Sequence, residues 1–167
     1  MGEIEERNKK VLTRFWEEVW DKGDLDVVDE IFSPDFIDHG LAPGLHKQGP
    51  EGAKEAVSQF RNAMPDLYLT CNMMIAEGDK VLSLWESGGT QTGPLASARG
   101  TIPPTNNKGI VRGMTLNQLT DDGKIVAAWD NFDILGMLQQ LGVIPSGPPG
   151  GGGGPPGGGP PGGNGAG

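Results

Sequence analysis

The sequence predicts an α+β fold: a cone-shaped, curved antiparallel sheet wrapped around three N-terminal helices, with a short C-terminal helix. Three observations carry this reading. Apolar residues repeat at helical spacing up to Pro65, the period changes to two after it, and the turns "EGDK" and "DDGK" divide the alternating region into hairpins. Helices gathered ahead of an antiparallel sheet, without strand–helix alternation, argue against a doubly wound architecture.

From Glu3 to Asp21, Val11, Leu12, Phe15, Trp16, Val19 and Trp20 form one stripe, opposite a Glu/Lys face. Gly23 ends that helix, and Asp24 caps a second one carrying Leu25, Val28, Ile31 and Phe32 until Ser33-Pro34. A third helix begins at Gly49-Pro50, with proline in its first turn, and presents Ala53, Ala56, Val57, Phe60 and Met64. Strands are expected over residues 67–76, 80–90, 109–120 and 124–132, with a loop-rich stretch between the hairpins that holds one short strand. Asp133 then precedes Ile134, Leu135, Leu138 and Leu141, a helical stripe ended by Gly142, so N-capping accounts for it.

Residues 1–146 form one domain large enough for a core and a small-molecule pocket. The last 21 residues hold 13 Gly and 6 Pro without charge, a composition expected to stay disordered. The net charge of −9 therefore lies on the folded part, which argues against nucleic acid and anionic membrane as partners. A lone cysteine, Cys71, excludes an internal disulfide and reads as a structural thiol; no Cys/His cluster has metal-ligand spacing. No phosphate loop, dinucleotide fingerprint or nucleophile triad is present, and neither a metal nor an organic cofactor is expected. The N-terminus lacks an apolar signal core and no apolar run reaches membrane-span length, so a cytoplasmic protein is expected.

Alternation places Val126, Ala128, Asp130 and Phe132 on one face of the last strand, and Ile125, Ala127, Trp129 and Asn131 on the other. If the first face turns inward, Asp130 shares a dry interior with small and aromatic neighbours, and desolvation raises its pKa towards that of an enolising base. If the second does, Asp130 is a solvated strand-end residue. Trp16, Trp20, Phe36, Phe60, Met64, Trp85 and Phe132 are candidates to line the pocket. On the preceding strand, one register adds Met114 and Leu116 to that lining; a shift of one residue presents Thr115 and Asn117 instead.

The blocks "FWEEVWDKGDLDVVDEIFSPDFIDHG", "GPEGAKEAVSQFRNAMPDL", "AEGDKV" and "DGKIVAAWDNFDILGMLQQLG" together resemble the SnoaL-like polyketide cyclase family, within the nuclear transport factor 2-like superfold, over residues 8–142. The resemblance implies that Asp130, near the end of the last strand, is the general acid/base, and that His39 in "FIDHG" contributes to the cavity. It also implies polar partners such as His and Gln opposite the base, where Met114 and Leu116 would leave a drier wall. Gln91 stands where a histidine is common in relatives, and His46 is expected to be exposed among turn residues.

These expectations converge on an enzyme that enolises a small hydrophobic or aromatic carbonyl substrate for intramolecular aldol-type ring closure, with Asp130 and His39 as its catalytic residues. A non-catalytic binder of small hydrophobic ligands is the alternative. An epoxide hydrolase, which on this superfold resembles an Asp-Arg-Asp arrangement, fits less well, because "VLSLWESGG" lacks the Arg-x-Asp pair. A sheet with one face uncovered implies a homodimer.

Overall fold

The first helix changes pitch in mid-course. In the computed structural model, which describes residues 2–40, 48–97 and 100–145, helix α1 (Glu3–Arg14) passes directly into a π-helical segment, Phe15–Asp21. Such widened turns are rare within α-helices. Here three rings crowd the turn, with Phe15 4.7 Å from Trp16 and 6.4 Å from Trp20 between centroids. The segment ends at Gly23, whose φ of 78° only glycine adopts freely. Arg61 clamps its last carbonyls, donating to Trp20 O at 2.9 Å and Asp21 O at 2.8 Å. His46 and the Gly/Pro-rich tail lie outside the described residues.

Helix α2 (Asp26–Ile31) follows, its first turn met by Asp24, which accepts from Asp26 N at 3.2 Å. The helix stops before Ser33-Pro34 as expected, yet these residues enter a strand instead of a loop. β1 (Phe32–Asp38) pairs parallel with β7 (Ile125–Phe132) at the edge of a five-stranded sheet of order β1-β7-β6-β3-β2. Proline is tolerated there because an edge strand has one side that needs no donor. Helix α3 (Gly49–Ala63) carries Pro50 in its first turn.

The two hairpins match their expected spans within a residue: β2 (Tyr68–Glu77) with β3 (Lys80–Thr90), and β6 (Lys108–Leu119) with β7. Among the described residues, the region between them holds two short strands, β4 (Leu95–Ser97) and β5 (Gly100–Ile102), where one was expected. Gln91, fully buried, fixes this excursion: its Nε2 donates to Gly93 O at 3.0 Å and Pro103 O at 3.1 Å, and its Oε1 accepts from Thr105 Oγ1 at 2.8 Å. It is a loop anchor.

The main core gathers Leu12, Val19, Val28, Val57, Val81 and Ile125, where the helices meet the inner sheet face; burial of each such side chain is worth roughly 1.5–3 kcal/mol. Ile125 belongs to it because the ladder slips between Gln118 and Leu119, turning Ile125 inward alongside Ala128. Simple alternation had placed it on the outer face. A smaller cluster of Ala63, Met64, Leu67, Leu95, Met137 and Leu141 joins α4 (Ile134–Gln140) to the end of α3 and to β4. Met137 and Leu141 are its buried contacts, whereas Ile134 and Leu135 are exposed. Asp133 caps α4, accepting from Gly136 N at 2.8 Å.

Candidate active site

Between the helices and the inner sheet face lies a cavity of about 120 Å³. Its walls are apolar and aromatic: Trp16 and Trp20 from the π-helical segment, Phe60 from α3, Met64 just beyond it, Phe36 from β1, Trp85 from β3 and Phe132 from β7. The rings brace each other, Trp16 to Trp85 at 6.3 Å, Trp20 to Phe60 at 5.9 Å and Trp85 to Phe132 at 6.0 Å. Gly113 makes room for this, because a Cβ there would stand 2.5 Å from the Trp85 ring.

Asp130 faces the cavity with Ala128 and Phe132. Its partner across the ladder is Thr115, whose hydroxyl donates to Asp130 Oδ1 and accepts from Trp85 Nε1 at 2.9 Å. That chain leaves the hydroxyl proton one direction to point, so Thr115 serves the ionised carboxylate. Burial pushes the Asp130 carboxyl up from 3.8 to about 6; the Thr115 hydrogen bond pulls it down, and the charge of Asp38 adds to the rise. Asp38 reaches the same cavity from the end of β1 and accepts from Gly40 N at 2.8 Å. Gly40 in turn lies against Asp130, where a Cβ would stand 2.5 Å from Asp130 N. Gly40 thus packs against the backbone from which the Asp130 carboxylate projects.

Two expectations need correction. Met114 and Leu116 do not line the cavity: Thr115 and Asn117 do, and Met114 is exposed on the outer face beside Leu116. The register that pairs Thr115 with Asp130 decides this, since paired residues share a face. The drier wall is therefore absent. His39 is also outside: it is exposed and stacks on Trp129, ring centroids 4.8 Å apart and planes 7° from parallel, on the sheet face opposite Asp130. The strand β1 explains it, because alternation sends Phe36 and Asp38 inward and Ile37 and His39 outward. Asp38 is the residue that sequence reasoning missed, although it sits in the same "FIDHG" stretch.

The profile of the SnoaL-like polyketide cyclases matches residues 10–141. The chain belongs to the SnoaL-like polyketide cyclase family. No curated protein matches it. Among solved structures it is similar to TsrD from Streptomyces laurentii, at 25% identity over 83% of this chain and 97% of that one, with a TM-score of 0.74. It is also similar to a protein from Bacillus cereus ATCC 10987 assigned as a polyketide cyclase, at 28% identity over 83% and 82%, TM-score 0.68. A protein from Jannaschia sp. CCS1 assigned as a SnoaL-like polyketide cyclase has a TM-score of 0.75 at 24% identity, over 87% and 98% of the two chains, a likeness of fold. The SnoaL-like fold, helices within a curved sheet, is the one described above. Among the described residues no helix is long and apolar enough to cross a membrane.

Proposed function

We propose that this chain is a cofactor-independent cyclase in which Asp130 is the general acid/base. The observation that carries the reading is a carboxylate at an apolar, aromatic cavity with its pKa pushed up to about 6. Such a group is mostly ionised near neutrality and far more basic than an exposed aspartate. It removes a proton alpha to a substrate carbonyl; the enolate attacks a second carbonyl of the same molecule, forming the ring bond, and Asp130 returns the proton to the resulting alkoxide. The rigid aromatic walls support this by holding a small hydrophobic or aromatic substrate folded, so that its reacting ends meet. His39, stacked outside, takes no part. Thr115 and Asn117 stand on the wall where Met114 and Leu116 would have left a drier site better suited to a passive binder.

The same reading extends to a homodimer through the outer sheet face. Register aligns Ile75, Leu82, Leu116 and Trp129 in one row and places Met73, Leu84 and Met114 in the next. Met73, Ile75, Met114 and Trp129 are exposed, an apolar band of the kind a second copy covers.

Turnover of a linear poly-β-carbonyl aromatic precursor tests the reaction. Asp130→Asn should lower kcat by at least about 10²-fold with folding intact; unchanged kcat refutes the role of Asp130.

A further inference from the structure

Strand β6 supplies a scale for the cavity, because its inward residues line it from one end to the other. Asn117, Thr115, Val111 and Gly109 all face it. The ladder fixes what stands beside each: Ala128 beside Asn117, Asp130 beside Thr115, Ser87 beside Val111 and Gly89 beside Gly109. From Thr115 to Gly109 is about 20 Å of extended strand. Polarity is graded along that length. Asp38 and Asp130 are the charged residues of the described lining, and Asp38 pairs with Ala128, so both lie towards the Asn117 end. Beyond Thr115 the wall turns apolar: Trp85 and Phe132 flank Gly113, and the Ser87 hydroxyl further on donates to Tyr68 O at 2.8 Å.

Helix α4 closes the far end. Met137, 5% exposed, lines the cavity there. A Cβ at Gly109 would stand 3.6 Å from Met137 Cγ and 3.2 Å from Leu141 Cδ2, so the helix rests directly on that glycine. Met64 and Leu67 reach the same level, beside Gly89. Side-chain bonds to backbone hold the helix at this height. The register of β6 with β7 ends at Gly113 and Phe132, and beyond it Gln140 takes up the backbone of Ile110, accepting from its N and donating to its O, both at 2.9 Å. Asn107 Nδ2 donates to Leu141 O at 3.0 Å. None of these fastenings uses the side chain of Met137, so its substitution alters the end wall and leaves them in place.

We propose that Met137 is the specificity-determining residue for substrate length: an elongated substrate places its carbonyl beside Asp130 and its apolar chain or ring system along β6, and the Met137 side chain is the stop. This rests on the cavity being the substrate site of the cyclase reading, and it adds the residue that limits what the site accepts. Each methylene that fits short of the stop gains apolar burial. One that overruns it must displace a packed side chain on a fastened helix, which costs more than the burial returns.

The test is saturable binding of straight-chain methyl ketones, from methyl butyl to methyl undecyl ketone, by the full chain, read from the fluorescence of the tryptophans on the cavity wall. In the wild-type chain affinity should rise about 4-fold per added methylene and then break off at one chain length. Met137→Ala should move that break to chains longer by about two methylenes, the space its side chain vacates. Met137→Phe should move it to shorter ones. Affinity that climbs through the whole series without a break, no saturable binding of any member, or a break that stays in place when position 137 changes each overturn the proposal. Should Met137→Ala not fold, Met137→Phe decides. These readouts need no turnover, so a failure of Asp130 in catalysis leaves the length limit standing, and an unmoved break leaves the role of Asp130 untouched.

Discussion

Thr115 and Asp130 face each other across β6 and β7, and the Thr115 hydroxyl, held by Trp85 Nε1 at 2.9 Å, donates its proton to the carboxylate. The pair sets the basicity of the site, burial raising the pKa of Asp130 and the hydroxyl restraining it.

Thr115→Val removes that restraint while keeping the shape. The inflection of the pH–rate profile should move above the wild-type value near 6, and turnover below it should fall. A profile that stays in place would separate Thr115 from the titration of Asp130.

Asp130→Asn should make the protein more stable at neutral and alkaline pH. The folded pKa, about 6, lies above the ordinary 3.8, so the folded state favours the protonated form. Ionisation then destabilises progressively as pH rises from about 4 to 6, and the cost above that is about 3 kcal/mol. A neutral amide avoids it. Thermal unfolding should show a gain of roughly 1–3 kcal/mol at pH 8 that vanishes near pH 4. A variant no more stable than wild type at pH 8 contradicts a desolvated Asp130.

Gly40→Ala should displace the carboxylate. The added Cβ would stand 2.5 Å from Asp130 N and 2.6 Å from Asp130 Cβ, so backbone must move. A shift on the order of 1 Å at a reacting group costs about 10²-fold in rate, against roughly 1–3 kcal/mol of stability for the strain. Parallel kcat and urea-unfolding measurements check both.

Met114→Glu places a charge in the middle of the exposed apolar band. Light scattering coupled to gel filtration should find a dimer for the wild-type chain and a monomer for the variant. A monomeric wild type removes the dimer from the proposal.

Much of the architecture was legible in the sequence because period and punctuation agree there: "EGDK" and "DDGK" fix the two hairpins, and Pro65 marks the change from helical to alternating spacing. Asp130 was found for the same reason, since β7 alternates without a break from Ala127 onward. What escaped depends on contacts distant in sequence. Ser33-Pro34 reads locally as a helix stop, and only pairing with β7, ninety or more positions away, makes Phe32–Asp38 a strand. Missing that strand put His39 inside and left Asp38 unnoticed, where alternation along β1 would have reversed both. The slip in the β6–β7 ladder likewise left no sequence signal, and it turns Ile125 into the core. The choice between Met114/Leu116 and Thr115/Asn117 hung on the pairing across "DDGK", which the strand ladder supplies.

The most direct test of the account is a carbon-detected NMR titration of aspartate carboxyls in the wild-type chain and in Asp130→Asn. One carboxyl resonance should titrate near pH 6 in the wild type and be missing from the variant. If every aspartate titrates in the ordinary range near 4, Asp130 is hydrated and the mechanism built on it is wrong.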